Sequence, residues 1–274
     1  MTLPFVPFPA QAPVREGLID VGSAKLWHWD TGGDGEAVVL CHPASQSSEI
    51  WLYQQPVLAT AGFRVIGYCR RGAFKSERGE ADPSASQVSD LARLMDRLGI
   101  AAAHVIGAAA GGITALGFAV AHPERTRSLV LAGTIFSPNE DEWRRAYARL
   151  GMSIAREKGM PSDFLELGPS YRLSHPDGVA KFNELEHRAK ANGPAVALPV
   201  GANVTWASIR AADVRTLLLT GEADLFAPPP LQELVAKHMP THDLATLRSV
   251  GHAAYWEAPS EFNGLVLAFL RGAR

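Results

Sequence analysis

The sequence predicts an α/β fold: a doubly wound, mostly parallel eight-stranded sheet with a helical lid inserted after the sixth strand. Three observations carry this expectation. Short continuous apolar runs recur along the chain, namely "AVVLCH", "RVIGYC", "HVIGA", "SLVLAG" and "TLLLTG", as expected of strands covered by helices on both faces. Stretches of helical period separate them, which is the alternation of a doubly wound sheet. After Ile135 the alternation lapses for about seventy-five residues, too long for a structureless connection in one compact domain. A chain of 274 residues suits one large unit, with residues 1–134 and 212–274 as the core and 135–211 as the lid.

Taken in order, "REGLIDVG" and "AKLWHWDTG" alternate apolar and polar residues on either side of a Gly-Ser turn and predict an antiparallel pair. In "SASQVSDLARLMDRLGI", Val88, Leu91, Leu94, Met95 and Leu98 recur at helical spacing, and Gly99 suits a left-handed carboxy-terminal cap. "HVIG" reads as a strand, "GITALGFAVA" as a helix, and the residues from Gly107 to Gly111 as the tight turn between them. Within the lid, Trp143, Tyr147, Leu150 and Ile154 share one helical face, and Val179, Phe182, Leu185 and Ala189 another. These lid aromatics are expected either to pack the lid helices together or to reach a substrate. His252 follows the final strand, and Pro259 opens a last helix with the apolar stripe Phe262, Leu265, Val266, Phe269 and Leu270.

Composition narrows the function. With 26 Lys and Arg against 28 Asp and Glu, the chain has no electrostatic footprint for nucleic acid or an anionic membrane surface, so the expected partner is a small molecule. The uncharged run Val105 to Ala121 has 17 residues and four glycines, short of the roughly 20 apolar residues of a membrane span. "MTLPFVPFPAQAP" lacks a basic n-region and is broken by prolines, so neither a secretory signal nor an anchor is expected. The two cysteines, Cys41 and Cys69, end apolar runs and read as buried free thiols. A reducing compartment, the cytoplasm, is the expectation. There is no His-Glu-x-x-His and no cysteine pair at ligand spacing, and "GAAAGG" matches neither phosphate-loop nor dinucleotide spacing. No metal and no cofactor are implied.

The chemistry concentrates at the turn "GAAAG". A strand-to-helix elbow holds its central residue in a strained conformation that exposes one side chain, while the next backbone N–H points from a helix amino terminus. A serine there would present a nucleophile, yet position 109 holds alanine. Further stretches share this context: "VVLCHPAS", "YCRRGAFKSE", "TLLLTGEADLFAPP" and "LRSVGHAAYWEAPSEF". Together they resemble the α/β-hydrolase family, from Val14 to Leu270. "CHPAS" stands where the family has a His-Gly oxyanion loop, with Pro43 replacing the glycine. Arg71, Gly72 and Ser76 match its Asp-x-Arg-Gly-x-Gly-x-Ser loop, from which Cys69 and Phe74 depart.

The resemblance implies a Ser-His-Asp machinery with Ala109 at the nucleophile position, Asp224 as the acid, His252 as the base, and the N–H groups of Ala44 and Ala110 as oxyanion donors. His42 is expected to be structural, and the remaining histidines surface or packing residues. Ser45, Trp143, Tyr147, Trp206 and Phe226 are the candidate substrate contacts. The substrate implied is a hydrophobic carbonyl compound: an ester, a lactone or a compound cleaved at a C–C bond. Arg70, Arg71 or a lid arginine is available for a substrate carboxylate, although Arg71 equally suits a loop anchor. Three explanations of Ala109 stay open: it replaces a native serine and inactivates the enzyme; it is native and the His-Asp dyad does acid–base chemistry; or the chain only binds ligand. The sequence also leaves a homodimer open.

Overall fold

The two amino-terminal runs pair as expected. In the computed structural model, which describes residues 4–152 and 158–272, β1 (Arg15–Asp20) and β2 (Lys25–Asp30) form an antiparallel ladder from Arg15↔Asp30 to Asp20↔Lys25. Gly22, in the turn, has φ 98°. The continuous apolar runs become β3 (Ala37–Cys41), β4 (Arg64–Tyr68), β5 (Ala103–Ala108), β6 (Thr126–Ala132) and β7 (Thr216–Gly221), and β8 (His242–Leu247) closes the far edge. The eight strands form one sheet in the order β1-β2-β4-β3-β5-β6-β7-β8. β2 meets β4 antiparallel and every later pair is parallel.

Among the described residues the α-helices are α1 (Gln55–Thr60), α2 (Gln87–Arg97), α3 (Ala110–Ala121), α4 (Asp141–Ala148), α5 (Ser162–Glu166), α6 (Pro169–Ser174), α7 (Pro176–Ala189), α8 (Trp206–Ala212), α9 (Pro229–Ala236), α10 (Ala254–Glu257) and α11 (Pro259–Leu270). They cover both faces of the sheet, because side chains alternate across a strand. Val39, Val105, Leu129 and Leu218 pack with α2, α3, α8 and α9. Their neighbours Val38, Ile106, Val130 and Leu217 pack with α7, α10 and α11. Each strand therefore has two buried faces, which is why it reads as an unbroken apolar run.

Local signals explain the helix ends. Ser86 and Ser89 cap α2 reciprocally, each side-chain oxygen bonded to the other's backbone N–H at 3.0 and 2.9 Å, and Gly99 beyond its end takes φ 67°. Pro259 is the first residue of α11, where its missing N–H costs nothing. Helices α4 to α8 all lie between β6 and β7.

Two details differ from expectation. β8 ends at Leu247, a loop leads to His252, and the short α10 precedes the last helix. Leu265, counted in the buried stripe, is exposed, while Phe262, Val266, Phe269 and Leu270 are buried. The stripe is narrower than the spacing suggested because α11 lies at the surface with one face on the sheet. Ile154 lies outside the described residues. Among those described, no helix is long and apolar enough to cross a membrane.

Candidate active site

The turn after β5 is tight because backbone approaches backbone. A Cβ on Gly107 would stand 2.6 Å from the Gly111 carbonyl oxygen, and one on Gly111 would stand 2.1 Å from that of Cys41; no side chain fits at either position. Between them Ala109 takes φ 50° and ψ −118°, outside the regions that suit alanine. The Ala109 N–H donates to the Ala132 carbonyl at 2.9 Å, tying the elbow to the end of β6. Ala110 is the first residue of α3, so its N–H has no acceptor within the helix. Both alanines are partly exposed.

Asp224 and His252 meet beside this elbow. His252 Nδ1 lies 2.8 and 3.0 Å from the two Asp224 oxygens, and both residues are buried. Asp224 Oδ1 also accepts the Phe226 and Ala227 N–H groups at 2.8 and 2.9 Å, and the Thr220 hydroxyl lies 3.1 Å from Oδ2. Four donors thus hold the carboxylate, one of them the imidazole. A Cβ on Gly133, the residue after Ala132, would lie 3.0 Å from His252 Nδ1 and 3.2 Å from Asp224 Oδ2. The pair therefore packs against the strand end to which Ala109 is bonded. With Nδ1 occupied, Nε2 has no hydrogen-bond partner among the described residues. Burial is the largest single influence on His252 and opposes its protonation, but the charge and hydrogen bond of Asp224, together with the charges of Glu166 and Glu257, outweigh it and hold the imidazole above its usual value.

The loop after β3 forms the other wall. His42 Nε2 accepts the Arg70 N–H at 3.0 Å, so Nδ1 carries the proton and donates to the Pro43 carbonyl at 2.7 Å. Burial, reinforced by the Arg70 charge, lowers the pKa of His42 to about 3; it is a neutral brace for the loop. Ala44 is exposed, and the buried Ser45 donates its hydroxyl to Glu166 Oε2 at 3.0 Å.

The expected substrate contacts separate into two groups. Phe226 lies over His252, ring centroids 4.6 Å apart, and forms an apolar cluster with Met152 and Leu165. Trp143, Tyr147 and Trp206, for which the sequence left packing and substrate contact both open, do not join it. They pack in the core cluster on the α3 and α9 side of the sheet, Trp143 stacked on Tyr147 at 4.8 Å and Trp206 on His238 at 4.1 Å. Helical period shows which face of α4 is apolar, not which neighbour it covers. Arg71 is a loop anchor, donating to both Asp90 oxygens at 2.7 Å.

Two carboxyls escape the sequence reading. Glu166, at the end of α5, accepts from Ser45, and its backbone carbonyl accepts the N–H of Ala253, next to His252, at 3.0 Å. Burial raises its pKa, against the opposing pull of His252 and Ser45. Glu257, in α10, accepts from Gly251 at 3.0 Å and from Gly168 at 3.0 Å. Nothing in "DFLELG" or "AYWEAP" distinguishes either from a solvated acid; long-range folding alone brings them against the loop that carries His252. Among the described residues, no group of three or more His, Cys, Asp and Glu is placed to hold a metal ion.

A mostly parallel sheet with an elbow after β5, a carboxylate after β7 and a histidine after β8 defines a class of fold and site together. The chain belongs to the alpha/beta hydrolase fold family, whose model matches residues 36–259. It is 29% identical over 275 residues to a candidate carbamate hydrolase, RutD, of Caulobacter sp. (strain K31), covering 94% of this chain and 99% of that one. It is 28% identical over 279 residues to a 2-hydroxy-6-oxononadienedioate/2-hydroxy-6-oxononatrienedioate hydrolase of Burkholderia vietnamiensis, covering 93% and 94%. A thermophilic esterase from Thermogutta terrifontis superposes with a TM-score of 0.77 at 24% identity, covering 94% of this chain and 98% of that one; at that identity the likeness shows the fold.

Proposed function

We propose that this chain is a carbonyl hydrolase scaffold, acting on an ester, lactone or related acyl substrate, in which Ala109 takes the place of the serine of a Ser-His-Asp triad. One observation carries the reading: the Asp224 carboxylate holds His252 by Nδ1 beside the elbow and leaves Nε2 without a partner. An imidazole oriented in this way accepts a proton at Nε2. The backbone at 109 keeps the strained geometry of a nucleophile turn although its methyl group has no chemistry to present. The names of the hydrolase relatives support the same class of reaction.

In the mechanism, a hydroxyl at 109 attacks the substrate carbonyl as its proton passes to His252 Nε2, and Asp224 stabilises the resulting imidazolium. The N–H groups of Ala110 and Ala44 receive the oxyanion. His252 returns the proton to the leaving group, and water repeats the sequence on the acyl intermediate. Phe226, Met152 and Leu165 offer an apolar wall for the acyl group. With Ala109 no covalent intermediate forms, so the unmodified chain binds substrate and turns it over far below the restored rate. Helices α4 to α8 act as the lid.

The test is hydrolysis of a panel of p-nitrophenyl esters and lactones by Ala109→Ser. A gain of about 10³-fold or more over the unmodified chain is expected. An inactive, folded Ala109→Ser would overturn the reading. Turnover by the unmodified chain that His252→Ala abolishes would replace it with acid–base chemistry by the dyad.

A further inference from the structure

Glu166 is the group here that triad chemistry does not use. It comes from α5, outside the sheet, yet it is bracketed by the two walls of the site. Its Oε2 accepts the hydroxyl of Ser45, next to Ala44, and its backbone carbonyl accepts the N–H of Ala253, next to His252. The residue is partly exposed, so it is not sealed in the core. Among the described residues the carboxylate's hydrogen bond is made at Oε2, which leaves the second oxygen, Oε1, open. The nearby cation Lys190 is paired with Glu186. An acceptor placed in this way between the oxyanion loop and the histidine, under the charges of His252 and Lys190 but with no ion pair to either, favours one kind of ligand and repels another.

We propose that Glu166 is a specificity-determining residue: its free oxygen selects substrates that offer a hydrogen-bond donor beside the scissile carbonyl, as a primary amide, a carbamate or an α-hydroxy ester does, and rejects those that carry a carboxylate there. The proposal rests on the reading of residue 109, His252 and the two backbone N–H groups as the reacting centre. A donor satisfies Oε1 in a site partly shielded from water. A second carboxylate would face it across a short, poorly screened distance. Ser45 has a supporting part, because its hydroxyl fixes the rotamer of Glu166 while leaving Oε1 free.

The unmodified chain is itself the reagent, since ligands bind at Ala109 without covalent reaction. Two probes of one shape are titrated at pH 8 by ligand-observed NMR: phenylacetamide and phenylacetate. Phenylacetamide is expected to bind about tenfold tighter than phenylacetate, and Glu166→Gln to bring the two within about twofold, chiefly by improving the anion. Gln still accepts the Ser45 hydroxyl, so the fold is kept; if the variant is unstable, Glu166→Asp is expected to shrink the ratio to less than half. A ratio that stays the same in the substituted protein, tighter binding of the anion by the unmodified chain, or no binding of either probe overturns the proposal. Hydrolysis of p-nitrophenyl acetate by Ala109→Ser separates the two levels. Activity there with an unchanged ratio sinks only the role of Glu166, whereas inactivity sinks the reacting centre itself.

Discussion

Ala109 sits in a conformation that costs an L-residue roughly 1–3 kcal/mol, and its side chain makes no hydrogen bond in return. Ala109→Gly is therefore expected to raise stability, by about 1 kcal/mol after allowing for the greater freedom of glycine in the unfolded chain; a urea midpoint below that of the unmodified protein would contradict the strain. In Ala109→Ser, His252 must be neutral to accept a proton, and its pKa is held above the usual value. Ester hydrolysis should then rise with pH, with its inflection above that of a free imidazole. Asp224→Asn in the same background should lower kcat by about 10⁴-fold with little change in KM, as steady-state kinetics would show. Position 109 was legible in the sequence because glycines mark its turn, whereas Asp224 and His252 were placed by the order that the family resemblance implies, one after a buried strand and one after the final strand. Glu166 was not legible, since an acid at the end of a five-residue helix has the same local signature whether it faces water or the loop that carries a histidine.

At the scale of elements, the loop carrying His252 is tied to the inserted helices by Glu257, which accepts N–H groups from both Gly251 and Gly168. Burial raises its carboxyl from an ordinary 4.5 to about 7. The folded chain thus binds that proton more tightly than the unfolded one. The contribution is fully present below about pH 4.5, is lost as pH climbs towards 7, and amounts to on the order of 3 kcal/mol. Glu257→Gln should escape that loss: its urea midpoint is expected to match the unmodified chain near pH 4.5 and to exceed it at pH 8, and a lower midpoint at pH 8 would show that the ionised carboxylate stabilises the tie. α2 is fastened to the loop after β4 by the buried Arg71–Asp90 pair at 2.7 Å. Asp90→Ala strands a guanidinium and should cost about 3–5 kcal/mol by denaturant titration. The strands were readable because two covered faces leave an unbroken apolar run. The packing partners of Trp143 and Trp206 were not, because amphipathic spacing carries no information about which surface a helix meets.

Over the whole molecule, the segment between β6 and β7 is joined to the sheet side by side-chain and backbone bonds at well-separated points: Gln46 to the Phe182 carbonyl, Phe74 N–H to the Ala189 carbonyl, Arg188 to Glu49, and Ser45 to Glu166. Phe182 and Leu185 of α7 share a buried cluster with β3 and α11. The inserted helices should accordingly unfold with the sheet, giving one transition that coincides in near- and far-ultraviolet circular dichroism; an early transition confined to helix signal would show that they melt alone. A mostly parallel sheet of eight strands follows from pattern and resemblance, whereas the strand order and these cross-ties join residues far apart in the chain and depend on the finished fold.

The most direct measurement of the central claim is the intact mass of Ala109→Ser after exposure to an aryl fluorophosphonate. If residue 109 faces His252 across the elbow, the new hydroxyl displaces fluoride, its proton passes to the imidazole, and a single adduct forms at Ser in position 109 that His252→Ala suppresses. A folded Ala109→Ser that stays unlabelled, or labels equally well without His252, would contradict the arrangement.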